Sequence, residues 1–154
     1  MTERAVRLEV LSSRKATIQA ARILAPKVTP GALVLLEGPL GAGKTFFARA
    51  LLRALGVPSA TRVTSPTFAL VHRYHVGAQL LLHADLYRLR DEANAPRATL
   101  ELGLREERAD GAILLVEWGL DLEGPLGGPA DHTVRLDRTG DERRIAVFPH
   151  TGQV

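Results

Sequence analysis

The sequence predicts an α/β fold in three layers, a mixed β-sheet flanked by helices. Three observations predict it. An aliphatic run at residues 32–36 leads directly into Gly38-Pro39-Leu40-Gly41-Ala42-Gly43-Lys44-Thr45, with a helical stretch immediately after. A second aliphatic run at 112–116 ends on a carboxylate, Glu117. Two pairs of short alternating segments read as hairpins, so part of the sheet is antiparallel. Together these predict a P-loop NTPase fold.

The elements follow in order. Residues 6–10 alternate charge with aliphatics and predict a short strand, after which Ser12 and Ser13 are candidate N-caps for a helix reaching about Ala25. Pro26 and the Pro30-Gly31 pair end it. Residues 32–36 predict a strand covered on both faces, and 44–55 a helix with Gly56 as its cap and Pro58 beyond. Residues 68–74 and 79–83 predict a hairpin turning at Gly77. Residues 90–110 are helical in composition but broken at Pro96 and Gly103, which predicts two short helices. Residues 112–116 predict a second buried strand. The run 124–131, with Gly124, Pro125, Gly127, Gly128 and Pro129, predicts a loop. Residues 133–136 and 143–148 then flank Arg138-Thr139-Gly140-Asp141 as a terminal hairpin. No repeat or long linker divides the chain, so one P-loop ATPase domain over residues 1–154 is expected.

Composition narrows the chemistry. Cysteine is absent, which excludes disulfides, a thiolate zinc site and a cysteine nucleophile. Residues 1–10 lack an apolar signal core, and no apolar stretch approaches the roughly 20 residues needed to span a bilayer. A cytoplasmic protein without membrane contact is expected. The net charge is only +3, and 17 of the 20 cationic residues are arginines scattered along the chain. No linear basic block announces direct nucleic-acid binding, so solvated surface arginines are the expectation.

The glycine-rich segment fits G-x-x-x-x-G-K-[ST] in full, and lies between a buried strand and a helix, as the mechanism requires. Glycines let backbone N–H groups converge on phosphate oxygens, and the helix N-terminus adds a positive dipole. Lys44 then reaches the β- and γ-phosphates, and the Thr45 hydroxyl can sit on Mg²⁺. ATP and Mg²⁺ are the cofactors this predicts, with Gly41, Ala42, Gly43, Lys44, Thr45 and Phe46 as nucleotide-binding residues.

Mg²⁺ prefers oxygen ligands and is usually positioned by one or two carboxylates. Glu117 ends one aliphatic strand and Asp85 another, so both are expected at strand ends facing the phosphates. Lys44, Asp85 and Glu117 are the candidate catalytic residues, and Thr45, Glu117 and Asp85 the candidate metal set. Glu117 can touch the metal through water, orient the attacking water as a general base, or do both. Thr64-Ser65-Pro66-Thr67 reads either as a switch loop in which Ser65 or Thr67 senses the γ-phosphate, or as a Pro-fixed turn. His83 is read as facing away from Asp85 into the core. Trp118 is either core or a lid.

Leu40-Gly41-Ala42-Gly43-Lys44-Thr45, Ser65-Pro66-Thr67-Phe68, His83-Ala84-Asp85-Leu86-Tyr87-Arg88-Leu89 and Val116-Glu117-Trp118, in that order, resemble the TsaE (YjeE) family. The resemblance runs over about 12–144. It implies a bacterial ATPase that works with TsaB and TsaD in transferring threonylcarbamoyl to adenosine 37 of tRNAs reading codons that begin with A, meeting tRNA only through that complex. It implies Thr45 and Glu117 as magnesium ligands, Asp85 as support for the metal or the attacking water, and Ser65 with Thr67 as the switch loop. It further implies that Ser12 and Arg144 hold the rest of the ATP. Three departures stand out: Pro39 replaces the family's usual Asp, Phe46 its second Thr, and Asp91-Glu92-Ala93-Asn94 blurs an acidic run. Neither P-loop change removes a phosphate-binding group.

Two other classes fit the P-loop: a small-molecule kinase, and a module that holds ATP as a switch without hydrolysing it. A GTPase fits less well, because no Asn-Lys-x-Asp segment is present to read guanine.

Overall fold

The computed structural model describes residues 6–139 and 143–149, and the side chains of 11–138. Seven strands form one sheet: β1 (Val6–Leu11), β2 (Leu33–Glu37), β3 (Val71–Val76), β4 (Gln79–Asp85), β5 (Ile113–Glu117), β6 (His132–Thr139) and β7 (Arg143–Pro149). Their order across the sheet is β1-β7-β6-β2-β5-β4-β3. The centre, β6-β2-β5-β4, is parallel, and both edges are antiparallel. The mixed sheet expected from the hairpins is therefore present, and the aliphatic runs occupy its middle. β5 is buried at every position, as a strand covered on both faces must be.

Strand alternation sorts the core into two layers. Val34, Leu36, Leu81, Ile113 and Leu115 face α1 (Arg14–Leu24) and α2 (Lys44–Ala54), where they meet Ala21, Leu24, Phe47 and Leu51. Leu33, Leu35, Leu82, Leu114 and Val116 face the opposite way, toward Ala95 of α3 (Ala95–Glu101) and Leu104 of α4 (Leu104–Ala109). Phe47, Leu51 and Leu52 of α2 are fully enclosed, each contributing about 1.5–3 kcal/mol by burial. These contacts fix α2 on the sheet, and with it the loop that precedes it.

Two local expectations need correction. Pro96 does not break a helix but sits in the first turn of α3, where its missing N–H costs nothing. Phe68 lies outside β3 in a turn closed by the Leu70 N–H bond to the Pro66 carbonyl, with Leu70 itself at φ 65°. Of the two candidate caps for the first helix, Ser13 takes the role, its hydroxyl accepting from the Ala16 N–H. Gly140 and Asp141 of the terminal turn lie outside the described residues. Among the described residues, no helix is long and apolar enough to cross a membrane.

Candidate functional site

Parallel strands deliver their carboxyl ends to one edge of a sheet, and here the register is tight. Leu36 of β2 pairs with Glu117 of β5, which pairs with Asp85 of β4. The glycine-rich loop leaves β2 one residue later, so it emerges beside both carboxylates. Gly38 begins it at φ 138°, where a Cβ atom would stand 2.1 Å from the Leu136 carbonyl oxygen. Only glycine lets the chain pass β6 at that distance. Gly43 ends the loop in the left-handed region at φ 101° and opens α2, so backbone N–H groups at the head of that helix are free to face an anion.

Within this loop Lys44 curls inward. Its Nζ donates to the carbonyls of Gly38 at 2.5 Å and Pro39 at 2.9 Å, and it is only 5% exposed. The Trp118 ring covers the ammonium from 4.1 Å, a cation–π contact. Trp118 holds this place through a left-handed backbone, φ 61°, directly after β5. Tyr87 packs edge-on against it at 5.0 Å, and Arg90 lies over Tyr87. Trp118 thus packs against the core and at the same time covers the loop lysine.

The next residue of the helix turns the other way. The Thr45 hydroxyl donates to Glu117, 2.9 Å from Oε1 and 3.2 Å from Oε2. Asp85, 7% exposed, accepts from the Tyr87 N–H at 3.0 Å. His83 departs from the sequence reading. Residues two apart on a strand share a face, so His83 points the same way as Asp85, and its Nε2 lies 2.7 Å from Glu117 Oε2. It is fully buried, yet it packs against the carboxylate rather than against aliphatics alone. Plain alternation in His83-Ala84-Asp85 was the signal that could have found it.

Burial dominates the electrostatics. It lowers the Lys44 pKa, while the carboxylates of Glu117, Asp85 and Glu37 pull it back up. It raises the Asp85 pKa against the opposing Tyr87 N–H, and the nearby Glu117 charge raises it further. It lifts Glu37 to about 7, even with Lys44 and Arg135 nearby. A buried ammonium set among carboxylates, beside the N–H groups at the head of α2, is a site for an anion that carries its own cation.

A cleft of about 670 Å³ opens over these groups. Gly41, Gly43, Lys44, Thr45, Phe46, Asp85 and Glu117 line it. Ser65 and Thr67, their hydroxyls 2.8 Å apart, and Ser12 line it as well. Ala42 is buried behind the loop rather than lining the cleft. Arg144 pairs with Leu11 along β1, but its side chain lies outside the described residues. Apart from Ala42 and Arg144, the candidate residues therefore converge on one cavity. Among the described residues no three His, Asp or Glu form a metal cage. One hydroxyl with one or two carboxylates is the set that Mg²⁺ takes when it brings its own waters and phosphates.

The chain is similar to known proteins over most of its length. The family model for "threonylcarbamoyl adenosine biosynthesis protein TsaE" matches residues 11–146. The tRNA threonylcarbamoyladenosine biosynthesis protein TsaE of Rickettsia conorii is 39% identical over 138 residues, covering 90% of this chain and 75% of that protein. Its namesake from Bacillus subtilis is 37% identical over 134 residues, covering 86% and 78%. The crystal structure of Bacillus subtilis YdiB superposes with a TM-score of 0.75 at 27% identity, over 99% of this chain and 90% of that one.

Proposed function

We propose, from the premise that this chain belongs to the TsaE family of threonylcarbamoyl adenosine biosynthesis proteins, that it is a Mg²⁺-dependent ATPase. In this reading its nucleotide state serves the threonylcarbamoyl modification of adenosine 37 in tRNAs reading codons that begin with A. The observation that carries the reading is the meeting of Thr45 with Glu117 at the mouth of the glycine loop, because a P-loop hydroxyl and a strand-end carboxylate are the two protein ligands a phosphate-bound magnesium needs.

The roles follow from position. Backbone N–H groups from Gly41 to Thr45 bind phosphate oxygens, and Lys44 leaves the Gly38 and Pro39 carbonyls to reach the β- and γ-phosphates. Thr45 and Glu117 hold the metal, which when bound neutralises charge developing on the phosphates. Asp85 supports the metal or takes a proton from the attacking water, a role that fits a carboxyl whose pKa burial has raised. His83 is a positioning residue that fixes the Glu117 carboxylate by one hydrogen bond. Ser65 and Thr67 sense the γ-phosphate, and Ser12 with Arg144 holds the rest of the nucleotide.

TsaB and TsaD are the proposed partners, with tRNA engaged in the complex they form, in the cytoplasm. The test is free phosphate released from Mg-ATP by the purified chain. Release without any acceptor supports hydrolysis. Phosphate that appears only on an added acceptor, or not at all, refutes it in favour of a kinase or a static switch.

A further inference from the structure

Four arginines that lie far apart in the sequence, Arg14, Arg22, Arg49 and Arg53, are gathered by the fold onto one face. Residues 10–84 carry nine Lys or Arg and a single carboxylate, Glu37, whereas 85–131 carry five Lys or Arg and eleven carboxylates. α1 and α2, which both come from the first stretch, contain no acidic residue at all and lie on the same side of the sheet. Helical spacing then aligns two stripes: Arg14, Ile18 and Arg22 on α1, and Phe46, Arg49 and Arg53 on α2. Each runs for about 11–12 Å at 1.5 Å per residue.

Between the stripes lies a groove of about 410 Å³, walled by Arg22, Arg49 and Arg53 with an apolar floor of Ile18, Ala50 and Ala54. Arg22 and Arg49 are exposed. Among the described residues neither meets a carboxylate. Arg53 is held in place by the carbonyls of Pro58 and Thr61. Phe46 belongs both to this groove and to the nucleotide cleft, so the one opens off the other.

Solubility alone does not account for such a face. A soluble surface usually intersperses both signs. Here Arg49 and Arg53 repel across one helical turn, and Arg14 and Lys15 stand at the positive end of the α1 dipole, so both arrangements cost stability. Planar guanidinium forks match phosphate oxygens in geometry as well as charge. We infer that the α1–α2 face docks the phosphate backbone of a folded RNA, and that the RNA is tRNA. This goes beyond the proposed ATPase, because it gives the chain a contact with RNA of its own, away from Lys44, Asp85 and Glu117.

The test is the anisotropy of a fluorescently labelled, unmodified tRNA transcript titrated with the full chain at several salt concentrations. The parent should bind, with affinity falling as salt rises. The double variant Arg22→Glu/Arg49→Glu should bind at least tenfold more weakly near 0.1 M salt. Its slope of log K against log salt should be shallower by about 1.4–1.8, since each of two phosphate contacts contributes roughly 0.7–0.9. Its ATP affinity should be unchanged, which shows that it folds, and Arg22→Lys/Arg49→Lys should keep most of the tRNA affinity. Equal tRNA affinity in the parent and the reversed variant would overturn the inference. So would a reversed variant that keeps tRNA but loses an acidic partner protein, since the face would then be a protein dock. Phosphate release measured without RNA reads the ATPase separately.

Discussion

His83 and Glu117, 34 residues apart in sequence, share a hydrogen bond of 2.7 Å in a place where neither side chain is more than 3% exposed. Nε2 donates to the carboxylate, and Nδ1 is buried with no partner among the described residues. The pair makes Glu117 rigid before any ligand arrives. A group that orients a metal-binding carboxylate in this way typically matters by about 10–100-fold. His83→Leu should therefore lower kcat by that order with ATP affinity nearly unchanged, and His83→Gln, which keeps an N–H donor, should recover part of it. A loss confined to thermal stability, equal in both variants, would reduce His83 to packing.

Lys44→Ala should leave the fold intact and weaken ATP binding by at least about 10–100-fold, the worth of one charge-assisted hydrogen bond to phosphate. The substitution removes a charge that the fold holds against two loop carbonyls and one indole ring, not a packed core group. Calorimetric titration of the folded variant reads it. Unchanged affinity would move the phosphate site elsewhere.

Asp85→Ala should reduce turnover more than nucleotide binding, by about 10²-fold if it orients the water or the metal in the transition state. Comparing kcat with the ATP dissociation constant separates the two effects. Parental turnover in the variant would take Asp85 out of the mechanism.

Much of this site was legible in the sequence because its parts are local. Gly38 to Thr45 is contiguous, and an aliphatic run ending on a carboxylate announces a strand end. What was harder to read depends on register between distant segments. That Asp85, Glu117 and Leu36 lie side by side follows from strand pairing, which a strand pattern does not specify. The cover that Trp118 lays over Lys44 requires a left-handed turn that a tryptophan adopts only when its surroundings enforce it. Phe68 looks like strand by residue type, yet the Pro66 turn carries it into solvent, 88% exposed. The basic face was hidden for the same reason, because Arg22 and Arg49 become neighbours only when α1 packs beside α2.

Glu37 should make stability depend on pH. Its carboxyl has a pKa near 7 in the fold against 4.5 as a free side chain, so between those values the folded state binds protons that the unfolded chain has released. Its stabilising contribution is therefore full below about pH 4.5 and declines as pH rises through about 7. Glu37→Gln should remove that decline, so the melting temperature of the variant should gain on the parent between pH 5 and pH 8. Parallel melting curves across that range would contradict the assignment.

In the proposed function, Thr45, Glu117 and the loop around Lys44 form an ATP-hydrolysing site completed by partner proteins. Arg14, stacked over the Phe46 ring, is the one arginine among the described residues that lines the cleft, and a group supplied in trans can raise a P-loop enzyme's rate by about 10³-fold or more. The most direct measurement is phosphate release from Mg-ATP by the parent and by Glu117→Ala, each alone and with purified TsaB and TsaD. Release should be slow by the parent alone, change in rate when both proteins are present, and fall at least about a hundredfold in Glu117→Ala under both conditions. Release by Glu117→Ala at the parent's rate, or a parent rate indifferent to TsaB and TsaD, would contradict the proposed function.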